Sequence, residues 1–279
     1  MAGITNLNEK WSSIIELAAQ EQSIIGQVTS GLYAPDATGT KVVHMRSIGA
    51  PSVTTYNPAG ADLTYSDLTD AVIDLDMNIY KEFHFKVEDI HAAQYNLSLD
   101  VPALAQAGNA LAIEADKSAF ALYGSAGTTI AGALGVVFEI NSSNVEDYLF
   151  EAKETLDEKN AGADRVIVVP SWMTTKMVQA KLVVPSVDAN GAYNDGFIGR
   201  VAGFTVYQSN QLAGAKSTGH YIMAFTRRAI PFASQIQSTE TIRLQGKFAT
   251  AYRGLYVYGV GIRHADEVVS IFGKPVANA

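Results

Sequence analysis

The chain has 279 residues and no cysteine, and its 28 acidic residues outnumber 20 lysines and arginines for a formal net charge of -8. Without cysteine there are no disulfides, thiolate metal sites or cysteine nucleophiles, and an acidic chain is on average repelled by nucleic-acid phosphates. Hydrophobic residues at 48% supply a core for one large or two small domains, while no run reaches a membrane span and the polar start lacks the order of a signal peptide.

In chain order, Trp11, Ile14, Ile15, Ala18 and Ala19, followed by Ile25 and Val28, share one face of a helix predicted over 9–30. Pro35, Asp36 and Gly39 then break the chain. A strand is predicted over 41–48 and a stronger one over 71–80, where Ile73, Leu75, Met77 and Ile79 alternate with Asp74, Asp76 and Asn78. Between them lie Gly49, Pro51, Asn57, Pro58 and Gly60 among many serines and threonines. That stretch is too long for a hairpin turn, so the two strands carry a long tip and make a projecting arm.

The strongest helix is predicted over 100–123, with Asp100 as cap, Pro102 in the first turn, and an apolar stripe of Leu104, Ala107, Leu111, Ala115, Ala119 and Leu122. It would be about 35 Å long. A second helix over 144–159 has Ser143 and Glu146 as a capping box, Val145, Leu149, Ala152 and Leu156 on its inner face, and Gly162 after its end. A buried strand at 165–169 leads through Pro170 to a short helix at 171–179 capped by Ser171, and 183–198 reads as loop. Strands are predicted at 204–208, 221–225, 235–244, 255–262 and 268–272. Helix and strand signals alternate without a repeating βαβ unit, so the class is α+β.

The run from Gly196 to Asn210 holds Gly196, Gly199 and Gly203, then Phe204, Val206, Tyr207, Ser209 and Asn210. Its glycines allow tight turns leading into a buried strand. Leu156 to Asn160 followed by Arg165 to Pro170, and Gly254-Leu255-Tyr256-Val257-Tyr258-Gly259-Val260, flank it. Together with the element order, these segments resemble the tailed-phage major capsid protein family, the Hong Kong 97 type of coat-protein fold. The resemblance covers nearly the whole chain. It implies an N-terminal arm (1–38), an extended loop (39–82), a peripheral domain with a long spine helix (83–140 and 232–256), and an axial domain (141–231 and 257–279).

The function implied is that of a major capsid protein. It would self-assemble through noncovalent contacts into the icosahedral head shell around a double-stranded DNA genome, enclosing the DNA without sequence-specific binding. An acidic chain suits a container wall that must not trap its contents. Implied partners are further copies in pentamers and hexamers, a portal and a separate scaffolding protein, since the chain starts almost at the arm, which points to a separate scaffold or a segment already removed, with Met1 favouring the former. A decoration protein is an open alternative. The location is the virion capsid, assembled in the host bacterial cytoplasm, with no membrane involved. Trp11, Ile14, Tyr33, Tyr56, Asn57, Pro58 and Tyr65 are the expected inter-subunit contacts. Two other readings stay open: an encapsulin-type nanocompartment shell, and a soluble α+β enzyme.

No enzyme site, cofactor site or metal site is expected. His44, His84, His91, His220 and His264 lack metalloprotease spacing, and Asp74 and Asp76 fall on the solvent face of a strand. Gly259-Val260-Gly261 opens no dinucleotide fingerprint, and Gly124-Ser125-Ala126-Gly127 is not a hydrolase elbow. Some relatives join subunits by an isopeptide bond between a loop lysine and a neighbour's asparagine, helped by a glutamate. Here 44–80 holds no lysine, Lys41 and Lys81 sit only at the loop's base, and 248–253 holds no acid.

Overall fold

The computed structural model describes residues 23–33, 35–37, 39–48, 51, 53, 55, 67, 70–89, 100–130, 134–182 and 197–276. The predicted helix at 9–30 lies mostly outside these residues; the part inside them is α1, Ile25–Val28. Among the described residues there follow β1 (Val42–Ile48), β2 (Asp70–Asp76), β3 (Ile79–Glu88), α2 (Asp100–Phe120), β4 (Thr128–Thr129) and β5 (Phe138–Ile140). Next come α3 (Val145–Glu158), β6 (Arg165–Val169), α4 (Ser171–Gln179), β7 (Phe197–Val201), β8 (Phe204–Gln208) and β9 (Gly214–Ala215). The last strands are β10 (Gly219–Thr226), β11 (Phe232–Arg243), β12 (Ala249–Val260) and β13 (Val268–Pro275).

The strands form three sheets. An eight-stranded mixed sheet runs β4-β13-β10-β6-β8-β7, with β5 on β13 and β9 on β10. Its centre is apolar on both faces. In β6, Ile167 and Val169 join the core under α3 and α4, while Val166 and Val168 join the core under α1 and α2. Alternate residues serve opposite faces, so the strand reads as an unbroken hydrophobic run. A three-stranded antiparallel sheet, β11-β12-β3, lies beside α2, and β1 and β2 form an antiparallel hairpin of their own.

Several predicted details are corrected. The strand expected at 71–80 is two strands: β2 ends at Asp76, Met77 N–H still donates to the Lys41 carbonyl, and β3 starts at Ile79 with β12 as its partner. The pleat alternation persists across the change of partner, which is why it read as continuous. Asp100 lies inside α2 rather than ahead of it, and Ser171 is the first residue of α4, with Pro170 before it. α3 buries Val145, Leu149, Ala152 and Leu156 as predicted, but its start is not a Ser143–Glu146 box. Asn141 Oδ1 accepts from the Ser143 and Asn144 N–H groups, and Asn144 Oδ1 accepts from Asn141 N–H. Nor does Gly162 end α3. Asn160 takes the left-handed conformation (φ 53°), Asn160 N–H donates to the Asp157 carbonyl and Ala161 N–H to that of Leu156, the two bonds of a Schellman stop.

The glycine-bearing motif resolves into the β7–β8 hairpin. Ala202 (φ 51°) and Gly203 (φ 86°) are its two turn residues, both left-handed, as a type I′ turn needs to match strand twist. The turn delivers Phe204, Thr205, Val206 and Tyr207 into the core.

Candidate assembly surfaces

The arm is built from the β1–β2 hairpin. On its inner face Met45, Leu75 and Met77 are 1–2% exposed and pack in one cluster with Val43, Ala37, Ala233 and Val257, which fixes the hairpin's base to β11 and β12. Seven cross-strand pairs, from Val42–Asp76 to Ile48–Asp70, make up the hairpin, a length of about 23 Å. On the outer face His44 Nδ1 lies 2.6 Å from Asp74 Oδ1, its direct cross-strand partner, with both side chains open to water. An exposed pair of this kind adds little stability. Asp74 and Asp76 therefore occupy the solvent face expected of them. Beyond the hairpin Pro51, Val53 and Thr55 are exposed. Tyr56, Asn57, Pro58 and Tyr65 lie outside the described residues, as do Trp11 and Ile14.

Tyr33 is the one expected contact residue that the structure describes, and it is half-buried in its own chain. Its hydroxyl accepts from Arg263 Nη1, and the guanidinium stands 5.6 Å from the ring centroid. Arg263 Nη2 also donates to the Arg46 carbonyl at 2.8 Å. One arginine after β12 thereby holds both the N-terminal segment and the arm. A second anchor is Asp116 on α2, 1% exposed, whose carboxylate accepts from Ser23 Oγ (2.7 Å) and from the N–H groups of Ile24 and Ile25 (3.0 Å each). The segment then crosses to β11, with Ser30 N–H on the Ile230 carbonyl and Phe232 N–H on the Ser30 carbonyl. Neither anchor was predicted. The only signal for Asp116 is an acid within the alanine-rich half of an apolar helix.

The groups nearest to cross-linking chemistry are neutralised by their neighbours. Lys81 Nζ sits 3.1 Å from Glu114 Oε2, and this bond raises its pKa and keeps it an ammonium. Glu114 also binds Lys117 Nζ at 2.6 Å, and the two lysines hold its carboxyl below the usual range. The stretch 248–253 has no acid of its own, but β-pairing brings Glu240 opposite Arg253, a residue that a linear reading could not place there. Arg253 Nε donates to Glu240 Oε2 at 2.9 Å, so that carboxylate is occupied. Phe248, in the turn between β11 and β12, is 79% exposed.

Inside the eight-stranded sheet's rim, Glu267 is buried and accepts from Arg228 Nε (2.9 Å), Arg228 Nη2 and Thr226 Oγ1. Burial alone would raise its pKa, but these donors outweigh burial and leave it lowered. Such a pair orders the turn after β10 against the approach to β13. Among the described residues no group of three or more histidines and acids is placed to hold a metal.

The β1–β2 hairpin packs through its inner face on β11 and β12, the N-terminal segment is tied to α2 through Asp116, and the charges described beside them are paired. The sequence comparison gives the family: the chain belongs to the phage capsid protein family, whose model matches residues 88–271. A search of curated proteins finds no match. Among solved structures, the chain is similar to one from Mycobacterium phage Che8, at 26% identity and a TM-score of 0.77, covering 97% of this chain and 98% of that one. The capsid of Cyanophage P-SCSP1u is similar at 18% identity and a TM-score of 0.71, covering 99% and 96%. That of Ralstonia phage GP4 is similar at 10% identity and a TM-score of 0.69, covering 99% and 97%. The fold is the Hong Kong 97 type, and the protein is a major capsid protein of the virion shell. The encapsulin-type reading is not favoured.

Proposed function

We propose that copies of this chain assemble as pentamers and hexamers into the icosahedral head of a tailed phage, enclosing double-stranded DNA through noncovalent contacts alone and catalysing nothing. The observation that carries the reading is the match to the phage capsid protein family over residues 88–271, together with a β1–β2 hairpin packed on β11 and β12 at the base of the long loop. Burying apolar arm surface on a neighbour would contribute about 25 cal/mol per Å² before ordering costs.

In this reading residues 1–38 are the N-terminal arm and 39–82 the extended loop. Residues 83–140 and 232–256 are the peripheral domain, with α2 as its spine, and 141–231 and 257–279 the axial domain. β4 and β5, from the first of these stretches, add to the axial sheet along β13. Trp11, Ile14, Tyr33, Tyr56, Asn57, Pro58 and Tyr65 are the proposed inter-subunit contacts, and Phe248 joins them on its exposure. A scaffolding protein and a portal are the proposed assembly partners, a decoration protein an optional one, and the host cytoplasm the proposed place of assembly. Electron microscopy of the purified chain, alone and with scaffold, tests the proposal. Closed shells, capsomers or tubes are expected; a compact monomer at every concentration, with and without scaffold, overturns it.

A further inference from the structure

β3 is an edge strand. In the order β11-β12-β3 it has a partner on one side only among the described residues. It is 10 residues long, and its register against β12 never shifts. One bond shows which of its backbone groups face outward: Asp89 N–H donates to the Phe248 carbonyl at 3.0 Å, on the β12 side. Alternate residues of an antiparallel strand bond to opposite sides. The N–H and C=O groups of Tyr80, Glu82, His84, Lys86 and Glu88 therefore point to the open edge. An open edge of this length is a template for another strand unless something guards it.

Charge of one sign is a common guard, because a second copy then meets its like. The exposed row on β3 is different: Glu82, His84 and Lys86 place opposite signs symmetrically about a histidine. Turned about a two-fold axis at His84, the row meets itself with Glu82 against Lys86 on both sides of the axis. Lys86 already reaches Glu88 in its own chain at 2.7 Å, but both side chains stay open to a neighbour. The same rotation sets outward-bonding residues opposite one another, so the backbone bonds close in register with the charges. On the strand's other face it brings Phe83 opposite Phe85, in the closer, non-hydrogen-bonded position. Tyr80, 56% exposed, falls opposite Glu88. A slip of two residues in either direction loses both Glu82–Lys86 pairs.

We propose that two copies of this chain join β3 to β3, antiparallel, about a two-fold axis at His84, and so share one continuous sheet. The occupant of the open edge is the same strand of a second copy, selected by its own mirrored charges. Such a contact uses the same patch on both partners, unlike the head-to-tail contacts that close a ring. It therefore links one ring of subunits to the next. The proposal rests on the reading that copies of this chain build a shell, and it adds the strand and the register by which two of them meet.

The chain has no cysteine, so a single introduced thiol reports the axis directly. Residues directly opposite in a hydrogen-bonded pair have Cα atoms about 5.5 Å apart, within disulfide reach. Under conditions in which the wild-type chain forms shells, full-length His84→Cys is expected to give a disulfide dimer on mild oxidation and nothing larger, because a residue on a two-fold axis meets only itself. Glu82→Cys and Lys86→Cys are each expected to run as monomers on the non-reducing gel, and the double variant as a dimer. Charge reversal checks the register without cysteine. Glu82→Lys or Lys86→Glu alone is expected to lower particle yield, and the two together to restore it, with circular dichroism confirming that each variant folds. Wild-type shells with no dimer at position 84, equal cross-linking at 82 and 84, a ladder beyond the dimer, unimpaired single reversals, or no rescue by the double reversal would each overturn the strand pairing and leave the shell reading standing. A wild-type chain that forms no particles, with no dimer from His84→Cys, overturns both.

Discussion

Asp116 caps the helix that begins at Ile25, although 91 positions separate the two residues. A helix start leaves its first N–H groups without intrahelical partners, and here a carboxylate from a different helix supplies them. Replacing Asp116 by Ala leaves two buried donors unmet, so a loss of about 1–3 kcal/mol is expected in urea unfolding of the unassembled chain. Hydrogen exchange at Ile24 and Ile25 should accelerate in parallel. If Asp116→Ala changes neither quantity, the capping role is wrong.

The tip of the loop should be dispensable for folding. Removing residues 49–69 and joining Ile48 to Asp70 through Asn-Gly, a two-residue turn suited to strand twist, should leave circular dichroism and the unfolding midpoint close to wild type. Particles of normal size should disappear from electron micrographs. Trp11→Ala should likewise lower particle yield with little change in secondary structure. Normal particles from the deletion would show that the tip makes no essential contact.

Subunits should remain covalently separate. Lys81 is held as an ammonium by Glu114 and Glu240 is occupied by Arg253, so neither is ready to act as amine nucleophile or carboxylate base. Denaturing electrophoresis of mature particles is expected to give one band near 29.8 kDa. A ladder of covalent pentamers and hexamers would refute this.

Stability should fall with acid through His220. Trp172 Nε1–H donates to His220 Nδ1 at 3.0 Å, which requires that nitrogen to be unprotonated, and burial lowers the histidine's pKa. Above about pH 6.5 the ring is neutral in folded and unfolded chains alike, and the full stability is present. Below that, the unfolded chain takes up the proton first, so stability declines until the folded ring is protonated as well. His264 is lowered by burial too and adds to the same slope. In urea titrations from pH 7 to 5, His220→Asn, which keeps an acceptor but cannot titrate, should lose part of this decline. An unchanged slope would remove His220 from the account.

The sequence disclosed whatever depends on near neighbours. The inner face of α3 and the all-buried run of β6 were legible because helical spacing and apolar continuity are local properties. Partner choice was not. Nothing at Met77 and Asn78 announces that the chain leaves β1 for β12, since neither glycine nor proline marks the step and the alternation of sides continues. The strand over 81–88 went unread for the same reason. The ends of α3 show a finer limit. Ser143, Glu146 and Gly162 have the right chemistry, yet Asn141, Asn144 and Asn160 do the work, because asparagine can both cap and adopt the left-handed turn. Glu240 and Arg263 matter through contacts across strands or segments far apart in sequence, which no motif encodes.

The position of β13 sets an order on synthesis. This strand, Val268–Pro275, lies within the largest sheet, antiparallel to β10 and parallel to both β4 and β5. A nascent chain still short of residue 268 on the ribosome has β10 paired with β6 but not with β13, and Ile140 and Ile222 without Ile271 to pack beside. Such a chain exposes apolar surface and an unpaired strand edge, the features that make a folding intermediate prone to aggregate. The largest sheet is therefore completed only once residues 268–275 are available.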